Sequence, residues 1–180
     1  GETVEWIDAR FAQLAEVLAA LAVIGELPRE VLDRVQGLGE VFSAQLLGTH
    51  LRSLGEDCAV LDARDVLVVG HGELGVDVDW EASADRLAKW RLQHPQSRLV
   101  ATGFVARDRD DRITTLGRNG SDYSGAIFAA LFNADELHIW TDVDGVLSAD
   151  PRLVPEAVQL ESLSYDEACE LAYFGAKVVH

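Results

Sequence analysis

Gly117-Arg118-Asn119-Gly120-Ser121-Asp122 packs two glycines, a guanidinium and a carboxylate between an expected strand and an expected helix. Glycine lets the backbone approach a ligand closely, and a helix N-terminus offers unpaired N–H groups to an anion. Arg118 can grip a carboxylate or phosphate through two parallel hydrogen bonds. Asp122 can answer an amine. Opposite charges at this spacing suit an α-amino acid, whose ammonium and carboxylate need opposite partners. The plain structural alternative is a glycine-rich turn in which Asp122 serves only the helix dipole.

A second candidate is Trp140-Thr141-Asp142-Val143-Asp144-Gly145-Val146, at the end of an expected strand. In open α/β sheets the ligand crevice lies beyond the carboxyl ends of the strands. A threonine hydroxyl and two carboxylates there suit a nucleotide and its metal. Alone, Asp-x-Asp-Gly is also a common turn. Asp150-Pro151-Arg152 and Phe174-Gly175-Ala176-Lys177 each supply one cation, though single cations are usually solvated surface residues. Glu40 interrupts an apolar stretch beside Gly39, as a ligand group or an exposed helix residue.

These residues need a scaffold. Apolar spacing predicts a helix over 3–24, with Thr3 as N-cap and Trp6, Phe11, Leu14, Leu18 and Leu21 on one face. Pro28 suits the first turn of a second helix reaching about residue 54, interrupted by Gly37 and Gly39. Short β-rich runs at 58–61 and 66–69 precede a glycine- and acid-rich loop over 70–79. A helix is expected over 81–93, then a strand over 98–103. A hairpin follows, with 104–105 and 113–116 joined by a charged turn over 108–112. After the turn at 117–120 come a helix over 121–132, a strand over 136–140 and a last helix from Ser164. There Ser164 and Glu167 form a capping box. Helices alternating with short apolar strands argue for a layered α/β fold with a largely parallel sheet in a single domain.

Composition narrows the function. At 180 residues, 48% hydrophobic and 26% charged, the chain has material for one substantial core. No apolar run approaches a membrane span, and the opening residues carry no basic signal region. A net charge of −16 argues against nucleic acid and anionic membranes as partners. The two cysteines, Cys58 and Cys169, have no metal-type spacing and read as reduced and buried, which favours the cytoplasm.

Taken together, GRNGSDYS, WTDVDGV, ADPR and LSYDEACELAYFGAKVVH resemble the signature blocks of the aspartate kinase family in order and spacing. The resemblance is strong over 98–180 and recognisable over 30–55. It implies the amino-acid kinase fold, a three-layer α/β/α sandwich, with ATP and Mg²⁺ used to phosphorylate the side-chain carboxylate of L-aspartate. Carried over by motif, Glu40, Arg118 and Asp122 would bind L-aspartate, Arg118 on a carboxylate and the acids near the amine. Thr141, Asp142, Leu147, Arg152, Lys177 and Val178 would line the nucleotide site, although the family often has an aromatic residue at the position of Leu147. The product would enter lysine, threonine and methionine biosynthesis, made by a homo-oligomer in the full-length enzyme.

The chain departs from the family at its front, where Lys-Phe-Gly-Gly-Thr-Ser, whose lysine meets the transferring phosphate, does not occur. It ends at His180, where regulatory ACT domains would follow. The expectation is a portion of a larger enzyme, with one half of a bifunctional polypeptide as one form of it, inactive or nearly so by itself. No histidine among the five is expected to be catalytic, because a carboxylate nucleophile, with a pKa of about 3.9, needs no general base at pH 7. Two other readings remain open: a kinase of the same fold for glutamate or acetylglutamate, and a non-catalytic scaffold that keeps only the fold.

Overall fold

The apolar stripe near the start of the chain produces α1 (Glu2–Ile24), followed by α2 (Arg29–Gln36) and α3 (Leu38–Ser53). This computed structural model describes residues 2–72, 75–140, 145–150 and 152–173. The chain divides into two compact units, Gly1–Ala134 and Asp135–His180. Thr3 lies inside α1 instead of capping it, and its hydroxyl meets that of Thr49 at 3.0 Å. Trp6 and Phe11 pack on Phe42 of α3, with ring centroids 5.9 and 5.3 Å away. Leu18 has no such cover and stays about half exposed. The helix anticipated from Pro28 onward breaks once, at Gly37. A Cβ there would stand 2.5 Å from Val105 Cγ1, so the junction is close-packed against the sheet. Gly39 is carried within α3 without a break.

Next come β1 (Cys58–Leu61), α4 (Ala63–Val66), β2 (Val68–Gly72), β3 (Gly75–Val78), α5 (Trp80–Gln93), β4 (Arg98–Ala101), β5 (Val105–Asp108), β6 (Ile113–Thr115) and α6 (Gly120–Leu131). Two expectations are corrected in this stretch. The run 66–69 is not one strand: Val66 ends α4, which Asp62 caps by accepting from the Arg64 N–H, and the strand begins at Val68. Residues 70–79 are not simply loop, because β2 and β3 form an antiparallel hairpin pairing Val69 with Val78 and Gly72 with Gly75. Val76 and Val78 turn inward while Asp77 faces solvent, a period of two that the neighbouring glycines and acids obscure.

Strands β1 and β4 pair in parallel, from Cys58 opposite Arg98 to Leu61 opposite Ala101. The other sheet runs β3-β2-β5-β6, with β2 and β5 parallel and the two hairpins antiparallel. Leu61, Val66, Leu67, Val69, Val105 and Ile127 form the heart of the core. Helix α3 packs on β1 and β4, α2 on β6, and α5 on β2 and α6. The class is α/β, as expected.

Ser83 on α5 lies wholly inside this core, where its hydroxyl accepts the Val68 N–H at 3.0 Å. Ser83→Ala leaves that amide buried without its partner, an expected loss of about 1–3 kcal/mol. For a chain of this length that is a fall of roughly 3–10 °C in thermal midpoint. An unchanged midpoint would show that the bond contributes nothing.

In the second unit, α7 (Tyr165–Tyr173) carries the anticipated capping box. Glu167 N–H donates to Ser164 Oγ at 3.2 Å, and Ser164 N–H returns to the Glu167 carboxylate at 2.8 Å. The strand anticipated over 136–140 is irregular, because a strand exists only with a ladder partner and none is described for it. Cys58 is buried, but Cys169 on α7 is exposed, against expectation; both are free thiols. Among the described residues no helix is long and apolar enough to cross a membrane.

Candidate functional site

The corner between β6 and α6 is built by backbone that few residues tolerate. Gly117 and Asn119 both adopt left-handed conformations, with φ of 77° and 60°. They turn the chain from the sheet edge into α6, whose first residue, Gly120, sits under Phe104. A Cβ at Gly120 would lie 2.9 Å from both Phe104 Cδ2 and Leu116 Cβ, so the close approach excludes any larger residue. Phe104, expected in the strand, instead precedes it in a left-handed conformation with φ of 63°. That conformation is uncommon for a bulky residue and recurs at ligand sites. Ser124, buried on α6, holds the arrangement: its hydroxyl accepts the Phe104 N–H at 2.8 Å and donates to the Gly120 carbonyl at 2.7 Å.

Arg118 stands exposed on this corner, and Asp122 is half-buried in the first turn of α6. Neither side chain has a hydrogen-bonded or ionic partner among the described residues. The N–H groups of Ser121 and Asp122 likewise have no partner there, and Asn119 supplies no side-chain cap. Two free amides and a free guanidinium at a helix N-terminus make an anion cradle. Glu40 occupies the first turn of α3, half-buried and also without a side-chain partner among the described residues. The close approach of Gly37 to Val105 sets the start of α3 against the residue that follows Phe104, while Gly120 packs on Phe104 itself. The Phe104–Val105 segment is therefore the shared support for Glu40 on one side and Arg118 with Asp122 on the other. A cradle for an anion with the Asp122 carboxylate in the same first helical turn can hold a zwitterion.

In the second unit, Leu147 is half-buried and bridges antiparallel to Gln159, and Ser148 and Leu160 bond to Val158 and Val146 around it. Arg152 is not free. It clasps Asp150 through two nitrogens, Nη2 to Oδ2 at 2.7 Å and Nε to Oδ1 at 3.1 Å, while its N–H bonds the same carboxylate at 2.9 Å. These bonds pull the Asp150 carboxyl down to about 2 and raise the Arg152 guanidinium above its ordinary value. Thr141, Asp142, Lys177 and Val178 lie outside the described residues. Among the described residues no group of three or more His, Cys, Asp and Glu could hold a metal ion.

Sequence reasoning passed over Phe104 and Ser124. The signal available was Thr102-Gly103-Phe104 immediately before the hairpin, where a glycine between bulkier residues marks a tight backbone approach. Gly103 does approach closely, its notional Cβ 3.2 Å from Ser121 Oγ.

The chain is 49% identical over 168 residues to "Bifunctional aspartokinase/homoserine dehydrogenase 1, chloroplastic" of Arabidopsis thaliana, which covers 93% of this chain and 18% of that protein. It is 41% identical over 179 residues to "Bifunctional aspartokinase/homoserine dehydrogenase 2" of Escherichia coli K12, covering 99% of this chain and 22% of that one. The chain thus spans about a fifth of the length of the curated relatives it matches. Among solved structures, E. coli aspartokinase III in complex with aspartate and ADP superposes with a TM-score of 0.80 at 32% identity, over 97% of this chain and 40% of that one. Its lysine- and aspartate-bound T-state gives 0.76 at the same identity and coverage. These superpositions bear out the expected amino-acid kinase sandwich. The profile of the "Amino acid kinase family" matches residues 3–180, and because that match runs through both units, the chain belongs to this family.

Proposed function

We propose that the chain belongs to the aspartate- and ATP-binding catalytic domain of an aspartate kinase. The observation that supports it best is the pair Arg118 and Asp122, both without a side-chain partner among the described residues, at the start of α6 beside two free amides. Arg118 holds a carboxylate of L-aspartate, and Asp122 and Glu40 face its ammonium. The side-chain carboxylate, already ionised at pH 7, attacks the γ-phosphorus of ATP. A new carboxyl O–P bond forms, the bond to the β–γ bridging oxygen breaks, and ADP leaves with the electron pair. No proton moves, so catalysis reduces to alignment and charge neutralisation. When bound with the nucleotide, Mg²⁺ offsets charge on the phosphates.

The nucleotide side rests on Leu147 and Arg152, with Thr141, Asp142, Lys177 and Val178. Arg152 must leave Asp150 to meet a phosphate. Arg152 is exposed and Asp150 half-buried at the surface, where solvent screens an ion pair strongly, so the exchange costs little. Arg152→Ala is expected to raise the KM for ATP about tenfold, by analogy with one lost charge-assisted hydrogen bond of about 1.5–3 kcal/mol partly screened by solvent. The KM for aspartate should not move. A rise in both constants would place Arg152 elsewhere.

The reading carries its finer consequences with it. The product enters lysine, threonine and methionine synthesis, the full-length protein is a homo-oligomer, and its free cysteines suit a reducing compartment such as the cytoplasm, although several relatives are chloroplastic. The 180 residues alone are expected to turn over poorly, since their sequence contains no Lys-Phe-Gly-Gly-Thr-Ser. Calorimetric titration of the folded protein with L-aspartate, L-glutamate and N-acetylglutamate tests the substrate. Saturable binding of aspartate alone supports the assignment. Preference for either glutamate compound makes it a different kinase of the fold, and no binding of amino acid or nucleotide in the longest stable form makes it a scaffold.

A further inference from the structure

Phe104 is the centre of a three-residue turn, closed by the Val105 N–H donating to the Gly103 carbonyl at 2.6 Å. With φ of 63° this is the form of γ-turn that is rare and strained. Such backbone persists only where its surroundings over-determine it. Here they do. The Phe104 carbonyl accepts the Leu116 N–H at 2.8 Å, and the Ser124 hydroxyl accepts the Phe104 N–H at 2.8 Å. Leu116 and Ser124 lie on either side of the turn that carries Arg118. Both flanks of that turn are therefore fastened to one residue.

The two fastenings differ in kind. Leu116 bonds through its backbone, which any residue but proline would supply. Ser124 bonds through its side chain, and the same hydroxyl donates to the Gly120 carbonyl at 2.7 Å, so it joins Phe104 to the first residue of α6. At 2% exposure it leaves water little room to take its place. The neighbouring contacts have no slack. Gly103 lies against Ser121, and Gly120 against Phe104 and Leu116, each too closely for a side chain to fit between. A shift of α6 against Phe104 therefore moves the residues at the helix start and is not absorbed.

We propose that Ser124 is a positioning residue for the amino-acid substrate: by joining Phe104 to Gly120 it fixes the first turn of α6, and with it the spacing of Arg118, Asp122 and the Ser121 and Asp122 amides. This rests on the aspartate reading of that corner and adds to it a residue that touches no ligand. A purely structural role makes a different prediction, and Ser83 supplies the comparison. Its buried hydroxyl also accepts a backbone N–H from another element, that of Val68, but Val68 is no part of the corner. If Ser124 served the fold alone, losing either hydroxyl would cost stability and leave the handling of aspartate unchanged.

The test is steady-state kinetics of the active full-length enzyme, run well below the thermal midpoint of every variant. Ser124→Ala should raise the KM for L-aspartate about tenfold, as displacement of binding groups does, and leave the KM for ATP unchanged. Ser83→Ala, which also strands one buried amide, should leave both constants unchanged. Ser124→Thr keeps a hydroxyl that can reach the carbonyl one turn back, so its aspartate KM should stay near that of the parent. An unchanged aspartate KM in Ser124→Ala, an equal rise in Ser83→Ala or Ser124→Thr, or a matching rise in the KM for ATP would overturn the proposal. Arg118→Ala run alongside tells two failures apart. If it too leaves kcat/KM for aspartate unchanged, the corner is not the aspartate site and both readings fall. If it alone shows the loss, only the positioning role of Ser124 falls.

Discussion

Arg118→Ala is expected to lower kcat/KM for L-aspartate about 10²–10³-fold in the active enzyme, the scale of one lost electrostatic anchor in an active site. The reason is that Arg118 has nothing else to do. It is exposed and unpaired among the described residues, on a corner whose shape comes from Gly117, Asn119 and the contact of Gly120 with Phe104. Removing it should therefore leave stability within about 0.5 kcal/mol, as for surface positions free of structural contacts. Arg118→Lys keeps the charge but loses the planar two-pronged grip, so it should recover only part of the loss. The KM for ATP should stay constant in both variants. Steady-state kinetics with each substrate varied in turn checks this, and an unchanged kcat/KM for aspartate would remove Arg118 from the site.

What could be read in advance follows the range of the forces involved. The α6 start and the α7 capping box are local: glycine conformational freedom, an N-terminal amide and a Ser–Glu exchange act within a few residues. The 105–115 hairpin is equally local, its strands joined through a turn that Asp108 organises by accepting from Asp110 and Arg112 N–H groups. The β2–β3 hairpin was missed because glycines and acids at its tip outweighed the alternation of Val76 and Val78. Long-range contacts left no such trace. That Glu40 shares a support with Arg118 depends on Gly37 meeting Val105 and Gly120 meeting Phe104, pairs far apart in sequence. The Asp150–Arg152 pair is local too, but in sequence its two charges look equally available to a ligand, and only the geometry shows them spent on each other.

The proposed aspartate corner also depends on residues that never approach a ligand, and Ile127 is the strongest case. It lies on the inner side of α6, 1% exposed, in the same core as Leu61, Leu67 and Val105. Ile127→Ala removes buried methyl groups and leaves a cavity the surrounding strands can only partly fill, at an expected cost of about 2–5 kcal/mol. For this length the thermal midpoint should fall by roughly 5–15 °C. Ile127→Val, which trims a single carbon, should cost only about 0.5–1.5 kcal/mol. The consequence for function follows from geometry: α6 is held by Ile127 and Phe128 on the core and by Ser124 on Phe104, so loosening the first support leaves the second to set the helix N-terminus alone. The alanine variant should therefore bind aspartate more weakly even well below its midpoint, while the valine variant binds normally. Urea unfolding gives the stability and calorimetry at low temperature gives the affinity. A variant that lost several kcal/mol yet bound aspartate at full strength would show that Ser124 and the Gly120–Phe104 contact position the corner without help from the core.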